Sequence, residues 1–296
     1  MEHNKTEQRN WTVLDLIQWS TKYLSDKGFD DARLNVELLL SHVLNCKRID
    51  LYLRYDMLLK PDELTSYREL FKRRLSHEPL QYILGKTDFM GLTFVVKPGV
   101  LIPRPETEVL VEIILSTFKQ HAGDIIRFLD IGVGSGCIAV SIAKYIPNAI
   151  VEAIDISDAA LEVAKVNIHN YHLEDRISLI NADILDNLPK FQNYPFDVLV
   201  SNPPYISKDE FDNLQPEIKE FEPNIASTDF ANGLTFFKVI ADKGKSLLRH
   251  GGLVFVEIGY NQSKDVIKIF RDANYKNIEV FRDYSNLERV IKAQVN

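Results

Sequence analysis

Cysteine is scarce in this 296-residue sequence, which contains only Cys46 and Cys137. Two thiols are too few for a secreted disulfide framework or for a structural zinc site. The seven histidines show no metal-ligand spacing either, so we expect no bound metal. A reducing, cytoplasmic compartment fits this composition best.

Long apolar runs are also missing. No stretch approaches the roughly 18 residues that a membrane span needs, and residues 1–12 lack the apolar core of a signal peptide. Only 13 glycines and 12 prolines are present, which argues against a disordered or fibrous chain. The sequence therefore predicts a globular protein with no membrane partner.

A basic excess is absent as well, since the formal net charge is −7. Residues 1–90 contain 14 Lys/Arg and 14 Asp/Glu, so the remainder holds 35 − 14 = 21 basic and 42 − 14 = 28 acidic residues. Phosphate binding relies on clustered Lys and Arg, so this acidic second part argues against nucleic acid as the main partner.

Helical periodicity covers the first part of the sequence. One apolar stripe contains Leu14, Ile17, Tyr23 and Leu24, and Gly28 is placed to end that helix. Two further stripes follow Asp31 and Asp62. We predict a helical bundle over residues 1–85 and a two-stranded hairpin linker over residues 86–102.

The rest of the chain alternates helical stretches with short apolar strands. The predicted strands are 125–131, 150–154, 177–180, 196–200 and 253–258, followed by a final pair at 278–281 and 289–291. Strands that are apolar on both faces and separated by helices are typical of a covered parallel sheet. We predict an α/β domain over residues 103–296, mostly parallel, that ends in an antiparallel hairpin.

A glycine-rich turn follows the first of these strands. Its spacing, Gly-x-Gly-x-Gly after an aspartate, differs from the Gly-x-Gly-x-x-Gly of dinucleotide sites and suits the uncharged link and amino-acid tail of S-adenosylmethionine. This spacing and the lack of an evident hydride-site His or Lys disfavour a nicotinamide dehydrogenase. The cofactor-binding residues predicted here are Asp130, Gly132, Val133, Gly134, Ser135 and Gly136.

Two later strand ends carry further candidates for cofactor binding. Asp155 lies 155 − 136 = 19 residues past the last glycine, close to the spacing of a carboxylate that accepts from ribose hydroxyls. The side chain of Asp183 and the backbone of Ile184 could read the adenine edge. A plain strand-end turn is the alternative for Asp155, and helix capping is the alternative for Asp183.

The tetrapeptide Asn202-Pro203-Pro204-Tyr205 follows the strand at 196–200. An amide or exocyclic amino nitrogen is a poor nucleophile because its lone pair is delocalised, and it gains positive charge as it attacks a methyl group. The side-chain carbonyl of Asn202 and the backbone carbonyl of Pro203 could accept its N–H bonds. Pro204 helps to fix the turn, and Tyr205 could lie across the planar acceptor.

We therefore predict Asn202, Pro203 and Tyr205 as catalytic residues, with Pro204 completing the substrate-binding set and Asn202 also contacting the cofactor. The alternative is a rigid turn with an incidental tyrosine, since Asn-Pro commonly opens turns. Cys137, beside the glycine loop, is interpreted as a small packing residue because direct methyl transfer needs no thiol.

Four segments occur in the order typical of bacterial protein-(glutamine) methyltransferases that modify peptide chain release factors. They are residues 78–85, 101–108, 130–136 and 202–205. The sequence resembles this family over nearly its full length, and the first two segments separate it from other Asn-Pro-Pro-Tyr enzymes. Residues 226–230 and 283–289 depart from the family pattern.

The resemblance implies a class I Rossmann-like methyltransferase domain, S-adenosylmethionine as cofactor and a release factor as the partner. It implies that the acceptor is the glutamine of a Gly-Gly-Gln loop, converted to N(5)-methylglutamine, and that the helical domain helps to grip the factor. Arg104, Thr107 and Glu108 would shape the cleft, although residues 105–108 read equally well as a helix start. We expect a monomer.

Three other readings remain open. The same chemistry could act on a glutamine of a ribosomal protein or on an adenine amino group, although the latter would need a basic surface and an extruded base. The chain could also be a non-catalytic scaffold with the same fold. Both the glycine loop and the tetrapeptide are intact, which favours an enzyme.

Overall fold

The computed structural model describes residues 10–119 and 123–296, which form two compact units. The first ends at Leu84 and the second begins at Gly85. Most of the residues from which we inferred the lack of a signal peptide lie outside the described part. The division of roles among residues 1–85, 86–102 and 103–296 stays a prediction.

The first unit is helical. Its helices are α1 (Val13–Asp26), α2 (Ala32–Val43), α3 (Arg48–Leu53), α4 (Pro61–Leu75) and α5 (Leu80–Leu84). Helix α1 begins with a capping box in which Thr12 and Asp15 satisfy each other's backbone N–H groups. Its buried face is Val13, Leu16, Ile17, Ser20 and Leu24. Our expected stripe was therefore wrong at Leu14 and Tyr23, which are both exposed.

The second unit opens with a hairpin and then alternates helices and strands. Its elements are β1 (Lys86–Phe89), β2 (Leu92–Val95), α6 (Pro105–Phe118), β3 (Ile126–Ile131), α7 (Cys137–Tyr145), β4 (Ala149–Asp155), α8 (Asp158–Asn170), β5 (Ile177–Asn181), β6 (Phe196–Ser201), α9 (Lys208–Phe211), α10 (Pro216–Phe221), α11 (Asn224–Ser227), α12 (Thr235–Leu247), β7 (Leu248–Glu257), α13 (Ser263–Asp272), β8 (Lys276–Arg282) and β9 (Glu288–Gln294).

Seven of these strands form one sheet in the order β5-β4-β3-β6-β7-β9-β8. The first five of that order pair in parallel, whereas β9 pairs antiparallel with both β7 and β8. Helices cover both faces through two apolar clusters. The predicted α/β fold with an antiparallel carboxyl-terminal hairpin is confirmed.

The order of this sheet reverses between β3 and β6, because the chain first proceeds outward through β4 and β5 and then returns to the other side of β3. Ligands of open α/β sheets bind at the carboxyl ends of strands next to such a reversal. The glycine loop follows β3 and the Asn-Pro-Pro-Tyr tetrapeptide follows β6. The topology thus brings both motifs to one crevice.

Two features of the second unit differ from the sequence prediction. Strand β7 begins at Leu248, five residues before the expected start, and passes through Gly251 and Gly252. The connection between β6 and α12 contains three short helices that periodicity did not indicate. Within residues 10–119 and 123–296, no helix has both the length and the apolarity needed to cross a bilayer.

Candidate active site

A cavity of about 330 Å³ lies at the carboxyl edge of the parallel strands. Its walls come from the segment after the hairpin, the glycine loop, the ends of β4 and β6, the turn after β5, and the segment before α12. The predicted site residues among its lining are Gly132, Val133, Gly134, Asp155, Asp183, Ile184, Asn202, Pro203 and Pro204. The structure therefore brings most of the predicted residues together.

The glycine loop is built on left-handed backbone conformations. Gly132, Gly134 and Gly136 have φ angles of 77°, 55° and 83°, which other residues adopt only at a cost. The N–H groups of Gly132 and Val133 donate to the carbonyl oxygen of Ile154 at 2.9 and 3.0 Å. These bonds attach the loop to the end of β4. The space beside Gly132 is open, since a methyl group built on it would meet no atom within 4 Å.

Asp155 ends β4 and braces this loop. Its two carboxylate oxygens accept from the N–H groups of Gly134 and Ser157, each at 2.9 Å. Burial raises the pKa of this carboxyl, although those backbone donors oppose the rise. The strand-end turn and the predicted ribose contact are compatible, because each oxygen has a second lone pair to offer to the cavity.

Asp130 and Ser135 are buried beneath the loop and, with Gly136, do not line the cavity. Neither carboxylate oxygen of Asp130 has a hydrogen-bond partner of good geometry among residues 10–119 and 123–296, although the backbone N–H of Ala139 favours its charged form. Burial, reinforced by the charge of Asp155, raises the pKa of Asp130 to about 7. A direct contact between Asp130 and a cofactor stays a prediction.

Asp183 and Ile184 form the adjoining wall. The Asp183 carboxylate accepts from the N–H of Leu185 at 2.8 Å, which closes a tight turn after β5. No helix begins at this turn, so the helix-capping alternative does not apply. Asp183 and Ile184 both line the cavity, as adenine recognition would require.

Asn202 is held by a side chain from α6. Its Nδ2 donates to Oγ1 of Thr107, which is buried, at 3.0 Å. The amide nitrogen is therefore used internally, and this assigns the side-chain oxygen to the other side. Among the described residues none donates to this oxygen or to the carbonyl of Pro203. Both predicted acceptors are free for a ligand.

Tyr205 lies just behind the cavity wall and packs against the second apolar cluster. Its phenol donates to Oε1 of Glu257 at 3.0 Å, and its carbonyl oxygen accepts from Nε2 of Gln262 at 2.8 Å. Burial is the main reason that the pKa of this phenol lies above its ordinary value. Tyr205 thus anchors the tetrapeptide at both its side chain and its backbone.

Sequence reasoning assigned no role to Glu257, Gln262 or Gly233, all of which support this turn. A signal for Glu257 was present, because it is a carboxylate that directly follows the apolar run Leu253–Val256 of a strand. Of the residues expected to shape the cleft, Arg104 and Thr107 line the cavity. Glu108 instead accepts a hydrogen bond from the N–H of Met90 at 2.5 Å.

The charges of the cavity favour a cationic ligand. Of the described residues that line it, Arg104 is the one base, whereas Asp155, Asp183 and Asp229 are acids. A guanidinium nitrogen of Arg104 donates to both oxygens of the buried Glu222 at 2.6 Å, so its charge is already paired. Cys137 also borders the cavity, and burial raises the pKa of its thiol to about 12, which keeps it protonated.

Asn167 links the hairpin to the glycine loop from the buried face of α8. Its Nδ2 donates to the carbonyl oxygens of Val95 and Ser135 at 3.0 and 2.8 Å, and its Oδ1 accepts from the N–H of Val95 at 2.8 Å. The substitution Asn167→Leu keeps the branching at Cγ but leaves these backbone groups unpaired. We expect a loss of roughly 2–4 kcal/mol in the free energy of unfolding, measured by urea titration.

The control for this prediction is Asn170→Leu on the same helix, because Asn170 is exposed. We expect that change to stay within about 0.5 kcal/mol of the parent. Since Asn167 also holds the carbonyl of Ser135, its loss should weaken S-adenosylmethionine binding. Equal stability of the two variants would contradict the proposed link.

Comparisons with known proteins identify the family of this chain. Residues 15–85 match the PrmC N-terminal domain family, and residues 91–218 match the methyltransferase small domain family. The release factor glutamine methyltransferase of Geobacter sulfurreducens is 39% identical over 285 residues, covering 96% of this chain and 97% of that protein. The protein of the same name from Rhodopirellula baltica is 37% identical over 288 residues, with 96% of each chain covered.

The solved structure of a methyltransferase from Pyrococcus furiosus has a TM-score of 0.51 at 17% identity and covers 78% of this chain and 98% of that one. That likeness shows a shared fold only. The two relatives, by contrast, align with 96% of this chain at 39% and 37% identity. The chain therefore belongs to the family of release factor glutamine methyltransferases.

Proposed function

We propose that this enzyme transfers a methyl group from S-adenosylmethionine to the side-chain amide nitrogen of the glutamine in the Gly-Gly-Gln loop of a peptide chain release factor. The observation that carries the proposal is the pair of free acceptors at the cavity, Oδ1 of Asn202 and the carbonyl oxygen of Pro203. A primary amide presents two N–H bonds, and two fixed acceptors match them. The names of the relatives supply the class of substrate.

The residues around the glycine loop fit S-adenosylmethionine. The open face of Gly132 lets a ligand approach the backbone closely, and Asp155 offers an acceptor for ribose hydroxyls. Asp183 and Ile184 would border the adenine ring. A pyrophosphate would face acids and one paired arginine at this site, whereas a sulfonium cation is favoured by the same charges.

When bound, S-adenosylmethionine supplies an electrophilic methyl group to the glutamine nitrogen, so that an N–C bond forms, an S–C bond breaks and the nitrogen finally releases a proton. Asn202 and Pro203 orient the nitrogen by accepting its two N–H bonds. Their oxygens then stabilise the positive charge that develops there. Because Thr107 fixes the amide of Asn202 beforehand, little reorganisation is needed during the reaction.

Tyr205 contributes by holding the turn, since its phenol and its carbonyl oxygen are both hydrogen-bonded. Stacking of its ring on the acceptor amide stays a prediction. The helical unit is proposed to select the release factor, and we propose no sequence-specific contact with nucleic acid. A monomeric state and a cytoplasmic location also stay predictions.

The test is incubation of the enzyme with methyl-labelled S-adenosylmethionine and a purified release factor, followed by mass analysis of the peptides. We expect the label on the glutamine of the Gly-Gly-Gln peptide. A release factor carrying Gln→Ala at that position is the matched control and should remain unlabelled.

Two further substrates decide between the readings that share this chemistry. A ribosomal protein fraction and ribosomal RNA are incubated under the same conditions. Label that appears only in one of these, and not in the release factor, would reject the proposed substrate.

A further inference from the structure

We propose that Glu257 is a positioning residue whose ionised carboxylate aligns the catalytic turn, holding Asn202 through Thr107 and Tyr205 directly. This inference rests on the proposed methyl transfer and adds a residue to which the family resemblance assigned no role. Glu257 does not line the cavity, so we place it behind the residues that would contact substrate and cofactor. Its effect on the reaction passes through its neighbours.

Glu257 is buried at the end of β7, with 1% of its surface exposed. Its Oε1 accepts from the phenol of Tyr205 at 3.0 Å, whereas Oε2 has no partner of good hydrogen-bond geometry among residues 10–119 and 123–296. The hydroxyl of Thr107 faces the carboxylate and, with that of Tyr205, favours its charged form. The Glu257 carboxylate therefore lies behind the tetrapeptide, between Thr107, which holds Asn202, and the phenol of Tyr205.

The direction of the hydrogen bonds requires Glu257 to be ionised if it is to hold both neighbours. Oγ1 of Thr107 accepts from Nδ2 of Asn202, so its own proton is free to point at Glu257. Tyr205 also donates toward that carboxylate. An ionised carboxylate can accept both protons, but a protonated one carries a donor of its own and competes with them. Protonation of Glu257 would thus loosen Asn202.

Protonation of Glu257 is expected close to neutral pH. Burial raises the pKa of Glu257 to about 7, although Thr107, Tyr205 and the charge of Arg289 oppose the rise. The titratable groups that face it from the elements packed around it are Glu106, Cys137, Tyr205 and Arg289. Turnover should therefore fall as the pH drops through about 7.

Stability should follow the opposite trend. The pKa of Glu257 in the folded protein lies above its ordinary value of 4.5, so the folded state binds the proton more tightly than the unfolded state does. The contribution of Glu257 to folding stability is therefore present at low pH and is lost as the pH rises through about 7. A merely structural role would make activity follow stability, whereas a positioning role makes them diverge.

The experiment compares Glu257→Gln with Glu152→Gln as a matched control. Glu152 is equally buried, at 1% exposure, in the parallel strand β4, but its carboxylate has no partners among the described residues beyond the backbone N–H groups of Gln192 and Asn193. We expect Glu257→Gln to lower kcat by roughly 10- to 100-fold and to abolish the fall of turnover at acidic pH. Its affinity for S-adenosylmethionine should change little. Glu152→Gln should retain the acidic fall.

A second readout does not depend on turnover. The side-chain amide resonances of Asn202, identified by their loss in Asn202→Ala, should shift with a midpoint near pH 7 in the parent and stay fixed in Glu257→Gln. If they titrate but the release factor is not labelled, the substrate assignment fails and the positioning role stands. Resonances that do not move with pH in the parent, or an acidic fall of turnover that persists in Glu257→Gln, would overturn the inference.

Discussion

Replacement of Asn202 by alanine is expected to lower turnover by roughly 100- to 1000-fold, the effect of losing one hydrogen bond that stabilises developing charge. The variant lacks the side-chain oxygen that accepts an N–H bond of the substrate amide. It also lacks the Nδ2 donor that bonds to Thr107 at 3.0 Å. The Pro203 carbonyl remains, so a part of the stabilisation should survive.

Steady-state kinetics at saturating S-adenosylmethionine would measure this effect, with calorimetry to follow cofactor binding. We expect the cofactor dissociation constant to change by no more than about 3-fold, since the glycine loop, Asp155 and Asp183 carry the other predicted contacts with the cofactor. A larger change would favour the predicted second contact of Asn202 with the cofactor. Turnover close to that of the parent would reject the mechanism.

The control is Asn181→Ala. Asn181 also stands at the carboxyl end of a parallel strand, β5, but it is exposed and does not line the cavity. Its Nδ2 donates to Asp158 at 2.6 Å and to the carbonyl oxygen of Ile156 at 3.4 Å, on the Asp155 side of the cavity and not at the tetrapeptide. Turnover of this variant should remain within about 3-fold of the parent. Comparison of the two variants distinguishes the general effect of losing an asparagine at a strand end from the specific effect of losing the side-chain oxygen of Asn202.

The sequence was sufficient for the features that local spacing encodes. The strand before Gly132, the strand before Asn202 and the alternation of elements predict a parallel sheet with both motifs at one edge, as observed. Helix α6 likewise begins at Pro105 with Glu106 and Glu108 in its first turn, as expected for a helix start. These features depend on a few neighbouring residues each.

Contacts between distant segments were not accessible in this way. Asn202 and Thr107 are 95 positions apart, and Tyr205 and Glu257 are 52 positions apart. Each side chain has several plausible local roles, and only the packed sheet and α6 select one of them. A single sequence could flag Glu257 as an unusual buried acid, but it could not identify Tyr205 as its partner.

The structure also shows the hydrogen bonds that close the two segments departing from the family pattern, residues 226–230 and 283–289. Within residues 226–230, Asp229 accepts from the N–H groups of Ala231, Gly233 and Thr235 at 2.9, 2.9 and 3.1 Å. Burial alone would raise its pKa, but these bonds lower it below its ordinary value. Asp229 thus closes a turn that places Gly233 against the carbonyl oxygen of Tyr205.

The second atypical segment, residues 283–289, is also closed by an aspartate. The Asp283 carboxylate accepts from the N–H groups of Ser285 and Leu287 and from the guanidinium of Arg289. Arg289 is one of the charges that face Glu257. Both atypical loops therefore close through an aspartate and support the same catalytic turn.

Substitution of Gly233 by alanine should consequently be as damaging as loss of a residue in the cavity. A methyl group built on Gly233 would lie 2.2 Å from the carbonyl oxygen of Tyr205 and 2.7 Å from Nε2 of Gln262. The first contact is with backbone, so the turn itself must shift. We expect turnover to fall by at least about 100-fold, because a displacement near 1 Å at the reacting groups has that effect.

A control variant must separate the strain of an alanine with positive φ from the steric contact with Tyr205 and Gln262. Gly233 has a φ of 75°, and Gly251 in β7 has nearly the same φ of 74°, but a methyl group on Gly251 would meet its nearest atom at 3.6 Å. Gly251→Ala should therefore lose only the roughly 1–2 kcal/mol of a left-handed alanine and keep its turnover. Thermal unfolding and methyl-transfer rates of both variants measure the difference. If the two variants were equally active, contact with Tyr205 could not be what requires glycine at position 233, and the tetrapeptide would have to be held by Glu257 and Gln262 alone.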